Sequence, residues 1–129
     1  MAPGGYGILR AVWEPRDIEL LGSCLRLAVD GPYFPDWEFA TLMGMSREEM
    51  RALADAWPFD PQSGEVEEPL SAEQEAAGVS AANNLNGYPH GVSRATLEEQ
   101  LGFGLEDVAR LLESSRRWKH SGDRRVEPT

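Results

Sequence analysis

Between Arg16 and Val29 the apolar residues fall at three- and four-residue spacing. Ile18, Leu21, Leu25 and Ala28 form one stripe, with Cys24 and Val29 beside it. That period turns one helix face toward a core. Pro15 suits the first turn, Asp17 and Glu19 complement the dipole at its start, and Gly31 and Pro32 stop it. A second, short helix is predicted from Asp36, read as its N-cap, to Met43, with Gly44 as a left-handed terminator. Ser46 and Glu49 have the spacing of a capping box for a third helix. Its stripe is Met50, Leu53, Ala54 and Trp57, and Pro58 closes it.

Ser71 and Gln74 repeat the capping-box pattern ahead of a helix reaching about Asn86. Its face, Ala77, Ala81, Ala82 and then Leu85, is small enough to let a neighbour approach closely, which makes this helix central. Gly87-Tyr88-Pro89 stops it, with Tyr88 placed to fold back on the last turn. Thr96 and Glu99 mark a short helix ending at Gly102. Leu105 to about Trp118 forms the last, with Leu105, Val108, Leu111, Leu112 and Trp118 on its core side. Ile8 to Trp13 has strand-like residues but poor alternation and no partner. The segment 59–70, with its prolines, glycine and acids, reads as a surface linker, so no sheet is expected.

The predicted fold is therefore all-α: a compact bundle of five or six short helices including a helix-turn-helix-like pair. Trp37, Phe39, Leu42, Met50, Leu53, Trp57, Leu85, Leu111 and Leu112 are its expected core. Residues 1–7 are expected to be disordered, 8–118 to form a single helical domain, and 119–129 to be a flexible basic tail. No internal repeat is visible in the letters.

Charge changes the picture of what such a bundle can do. Hydrophobic residues at 41% fit a globular chain, but the formal net charge is -10. Residues 1–109 hold 6 basic and 19 acidic side chains, and residues 110–129 hold 6 basic and 3 acidic ones. An acidic body repels phosphate backbones and favours basic partners. Arginine outnumbers lysine, and leucine isoleucine, a bias typical of GC-rich genomes. The longest apolar runs are far too short to span a bilayer. The start, MAPGGYG, lacks the basic and apolar regions of a secretory signal, so a cytoplasmic location is expected. Cys24 has no second cysteine to pair with and falls in an apolar pattern, as a small buried residue would.

Phe39, Ala40, Met43, Gly44, Met45, Met50 and Leu53 stand where a helix-turn-helix puts its core residues, its small residue and its turn glycine. In that arrangement the second helix presents Ser46, Arg47, Glu48, Arg51, Ala52 and Asp55, a balanced set. A DNA-binding use would rest on Arg47 and Arg51 together with Arg116, Arg117 and Lys119 of the tail. Leu101 to Leu112, LGFGLEDVARLL, resembles a helix of MerR-type regulators over about a dozen residues. The recognition helix that precedes it in that family has no counterpart upstream.

Two loops rich in aromatic residues, proline and glycine, DGPYFPDWE and NNLNGYPHG, each follow a helix end. Asp30, Tyr33, Phe34, Asp36, Trp37 and Glu38 in one, and Asn83, Asn84, Asn86, Tyr88 and His90 in the other, are the candidate ligand- or partner-binding residues. If the loops converge, they would pair aromatic walls with a His–carboxylate couple, the minimum for acid–base chemistry. The same residues also suit core lids and helix ends. His90, His120 and Cys24 show no metal-ligand spacing, and no phosphate loop, dinucleotide fingerprint or nucleophile elbow is present. No catalytic residue, metal or cofactor is expected.

The two loop segments resemble those of small acidic proteins of GC-rich, actinobacterial-type bacteria, over roughly residues 16–112, a resemblance that implies no particular activity. The leading expectation is a non-catalytic interaction or regulatory module that binds a protein partner, possibly a basic one. A helix-turn-helix DNA-binding regulator is the alternative. A small enzyme or ligand binder using loops 30–38 and 83–91 is the third.

Overall fold

The capping signals place most helices where the apolar stripes require them. The computed structural model describes residues 13–114. In chain order these are α1 (Pro15–Asp30), α2 (Asp36–Met43), α3 (Arg47–Asp55), β1 (Phe59–Asp60), β2 (Glu65–Val66), α4 (Ala72–Gly87), α5 (Arg94–Leu101) and α6 (105–114). The protein is an all-α bundle with one small hairpin. The N-terminal segment, most of the Ile8–Trp13 strand, Trp118 and the basic tail lie outside the described residues.

Both predicted capping boxes form. The Ser46 hydroxyl accepts the Glu49 N–H while Glu49 accepts the Ser46 N–H at 2.9 Å, and Ser71 and Gln74 do the same at α4. Gln74 is buried, and its amide also donates to Ala56 O at 3.1 Å, tying the start of α4 to the end of α3. Around the core, α1 packs most extensively against α4. Leu21 and Leu25 are fully buried, which contributes about 1.5–3 kcal/mol each. The facing side of α4 is Ala77, Gly78, Ala81 and Ala82, so the backbones come close. A Cβ on Gly78 would lie 3.1 Å from Leu21 Cβ. Trp57 wedges beside this contact, with its indole N–H donating to Ile18 O at 2.8 Å and its ring against Gly22.

Several expectations are corrected. Asp36 does not cap α2: it is the first helical residue, Pro35 holds the N-cap position, and no side-chain cap bond forms. The short helix α5 starts at Arg94, with Ser93 rather than Thr96 as its N-cap, because the Ser93 hydroxyl accepts the Thr96 N–H. The linker is not sheet-free. Asp60 accepts the Gln62 N–H at 2.9 Å and Gly64 takes φ 74°, making a tight turn that pairs Phe59 with Val66. Trp37 is not core but 81% exposed. The buried side of α2 is Phe39 and Met43, and a residue two before Phe39 projects to the opposite side at 100° per residue. Ala40 is exposed, so it does not sit at a helix crossing. Indeed α2 and α3 pack mainly on α4 and α1 rather than on each other.

The letters show no repeat, but the helices fall into two similarly arranged halves. The long helices α1 and α4 both have 16 residues, and the short helices α2 and α5 both have 8. Each short helix ends at a glycine with φ 81°, Gly44 and Gly102, a left-handed position that penalises other residues, and a further helix follows. Buried positions run in step. Leu20, Leu21, Cys24, Leu25 and Ala28 on α1 match Ala77, Gly78, Ala81, Ala82 and Leu85 on α4. Phe39, Met43, Met50 and Ala54 match Leu97, Leu101, Val108 and Leu112. Each half lays its short helix on the other half's long one, α2 on α4 and α5 on α1. The halves cap their third helices differently. Ser46 does so in the first, whereas Gly104 has no side chain and the Glu98 carboxylate accepts the Leu105 N–H instead, at 2.7 Å.

Candidate interaction surface

The swapped halves bring the two aromatic loops together. Tyr33 and Phe34, between α1 and α2, meet Tyr88 and His90, between α4 and α5. The Tyr33 and His90 rings lie edge to face with centroids 5.0 Å apart, and Phe34 sits 5.4 Å from Tyr88. Tyr33 and Phe34 are buried. The Tyr33 hydroxyl donates to Gln100 Oε1 on α5, and the Tyr88 hydroxyl donates to Glu38 on α2 at 2.5 Å. Each loop thereby grips the other half's short helix. The carboxylate accepting its proton holds the Tyr88 phenol above the usual tyrosine range, and burial raises Tyr33. Tyr88 does not fold back on its own helix as expected.

The His–carboxylate couple does not form. His90 Nδ1 accepts the Val92 N–H at 3.1 Å, so the ring proton is on Nε2, which donates to Leu85 O at 3.0 Å. Both ring nitrogens are taken by backbone, none by Asp30, Asp36 or Glu38. Asn84 donates to Ser80 O at 2.9 Å and to Leu42 O at 3.2 Å, closing the end of α2, while Asn83 and Asn86 are exposed. Gln100 carries no signal in the sequence, because a polar acceptor for Tyr33 across the half boundary leaves no local pattern. Cys24 is buried, which pushes its thiol up to about 12.

Arg47 is not a solvent-facing recognition residue. Its guanidinium donates to Val29 O at 2.7 Å, Ala28 O at 3.3 Å and Phe34 O at 2.9 Å, and lies 4.3 Å from the centroid of Phe39. It closes the carbonyl end of α1, where backbone acceptors have no helical partner. It also contacts Asp36 at 2.9 Å. Arg51 pairs with Asp30 at 3.4 Å, and Arg26 with Asp55 at 2.9 Å. Arg16 and Arg110 pair with Asp107, and Arg94 with Glu98. Every arginine among the described residues is thus held by an acid of the same chain. Arg116, Arg117 and Lys119 lie outside them.

The acids are in excess. The described residues carry twenty Asp and Glu against those six arginines. Among them, Glu19, Glu48, Glu65, Glu68, Glu73, Glu99 and Glu106 are exposed. Trp37 is the one large hydrophobic side chain exposed among the described residues, next in sequence to Asp36, whose side chain is 92% exposed. No group of three or more His, Cys, Asp or Glu among the described residues could hold a metal ion, and no helix there is long and apolar enough to cross a membrane. Comparison with protein-family models, curated proteins and solved structures gives no match.

Proposed function

We propose that this protein is a non-catalytic interaction module that binds a basic protein partner through its acidic surface, as a regulatory or inhibitory component. The observation that carries the reading is the charge arrangement. The six described arginines are consumed by internal pairs, while Glu19, Glu48, Glu65, Glu68, Glu73, Glu99 and Glu106 are exposed and pair with no arginine among the described residues. Such a field speeds encounter with cationic surfaces and repels nucleic acid. The groups that would serve an acid–base site support the same reading, since Tyr33, Tyr88 and His90 are bonded into the scaffold. The DNA alternative draws no support from Arg47 and Arg51, whose charges are committed to the end of α1 and to Asp30.

The test is affinity capture from native extract with the immobilised protein at about 50 mM salt, where screening is weak, followed by elution near 0.5 M. Basic proteins should be retained, released by salt, and reduced when Glu65, Glu67 and Glu68 are changed to glutamine. An empty eluate, or retention indifferent to salt, would end this reading.

A further inference from the structure

We infer that Trp37 is the contact point for an arginine side chain of the partner, the guanidinium seating on the indole face beside the exposed Asp36 carboxylate. This rests on the interaction-module reading and names the chemistry of its partner.

Tryptophan is rarely this exposed, because its large ring gains more from burial than most side chains. At 81% exposure Trp37 contributes almost nothing to the core. The second half of the fold shows that the position needs no aromatic. Its counterpart on α5 is Ala95, also exposed, in a helix of the same length with the same glycine terminator. Trp37 lies in the first turn of α2, a helix held on both sides: by Arg47 bonding Phe34 O at one end and by Asn84 bonding Leu42 O at the other. An aromatic on a fixed helix loses little entropy on contact and is the commonest hot-spot type at interfaces.

Charge selects the partner. Both Arg47 contacts to Asp36 go to Oδ1, leaving Oδ2 of this 92% exposed carboxylate without a partner among the described residues. Indole is the best cation–π acceptor among side chains, and guanidinium, weakly hydrated and planar, is the cation that stacks on it most often. The surplus acids of the body raise the local concentration of such a cation. No arginine of the described fold is left to occupy the ring.

The test titrates the protein with a tri-arginine peptide, with tri-lysine, and with the neutral tri-citrulline isostere. Binding is followed by the Trp37 indole N–H resonance, assigned from its loss in Trp37→Phe. Tri-arginine should shift that resonance saturably, tri-lysine less, and tri-citrulline not at all. Trp37→Ala should weaken tri-arginine binding at least fivefold and Trp37→Phe by less, with thermal stability unchanged because the side chain is exposed. Salt-sensitive binding that Trp37→Ala leaves within twofold would overturn the proposal while sparing the interaction-module reading. Failure of the wild type to bind either cationic peptide at about 50 mM salt, where screening is weak, would overturn both. A dimer that Trp37→Ala dissociates in sedimentation would assign the face to a second copy. A Trp37 resonance that moves on Arg116→Ala or Arg117→Ala without peptide would assign it to the chain's own tail. Either result also overturns the proposal.

Discussion

Replacing Arg47 with alanine removes the clamp on the end of α1, and the size of the loss can be worked from its contacts. Val29 O and Phe34 O lose donors at 2.7 and 2.9 Å, and both belong to buried residues. Stranding a buried acceptor costs about 1–3 kcal/mol, and the lost stacking on Phe39 adds about 0.5–1 kcal/mol. The Asp36 pair adds little, since that carboxylate is 92% exposed and water replaces the arginine. Water entering the vacated site recovers part of the loss, which leaves about 3 kcal/mol, or on the order of 10 °C in Tm for a domain of this size. Urea unfolding followed by far-ultraviolet circular dichroism measures it. Arg47→Lys should still cost about 2 kcal/mol, because one ammonium cannot address the carbonyls of Ala28, Val29 and Phe34 as a planar fork does. Asp36→Asn should cost under about 0.5 kcal/mol. If Arg47→Ala and Asp36→Asn destabilise equally, and by under about 1 kcal/mol, Arg47 is an ordinary surface ion-pair partner and the clamp is wrong.

Gly22→Ala should destabilise by about 2–3 kcal/mol, an overpacking cost, because its Cβ would lie 2.4 Å from Trp57 Nε1; the same urea experiment reads it, and Trp57→Leu in the same chain should cancel part of the loss. Glu98 is held below the ordinary glutamate range, first by the Leu105 N–H and then by Arg94. A depressed carboxyl favours the fold above its ordinary value of 4.5 and loses that stabilisation as acid protonates it, so the protection of the Leu105 amide relative to its intrinsic exchange rate should fall as the pH drops below that value in the wild type but not in Glu98→Gln. Cys24, buried with its thiol near 12, should react with Ellman's reagent at pH 8 at the rate of global unfolding, whereas labelling of the native protein within seconds would refute its burial.

Local signals carried the fold a long way. An αL glycine, a Ser–x–x–Glu box and a four-residue apolar spacing act within one or two turns, so Gly44, Ser46 with Glu49, and the α1 stripe could be read from the letters. What failed needed contacts between distant segments. Asp36 looked like a cap, but its carboxylate answers Arg47, eleven residues on. Trp37 looked like core because it is large and apolar, and only the direction of the Phe39–Met43 face decides otherwise. The hairpin hid in a polar segment because Asp60 and Gly64 make its turn while Phe59 and Val66 are its only partly buried apolar residues. The candidate loops were recognised by composition and do meet, but which hydroxyl bonds to which helix depends on the swap of halves, which no local pattern encodes.

The two halves also separate scaffold from surplus. Ala28 and Leu85 occupy matching places near the ends of α1 and α4, and both carbonyls are closed by a side chain from outside the helix. Arg47 does so at 3.3 Å in one half, and His90 Nε2 at 3.0 Å in the other. Two residues that suggested DNA contact and acid–base chemistry thus perform one structural task by different means. The hydroxyls of Tyr33 and Tyr88 are matched likewise, each bonded across to the other half's short helix. Asp30 is drawn into the ion pairs that join α1 to α3. Trp37 has no such account: its counterpart is alanine, its ring is exposed, and the fold would close without it. A side chain that the scaffold neither buries nor bonds is free for contact at a surface, and the exposed carboxylate next to it in the chain, Asp36, is the charge that would meet an incoming cation.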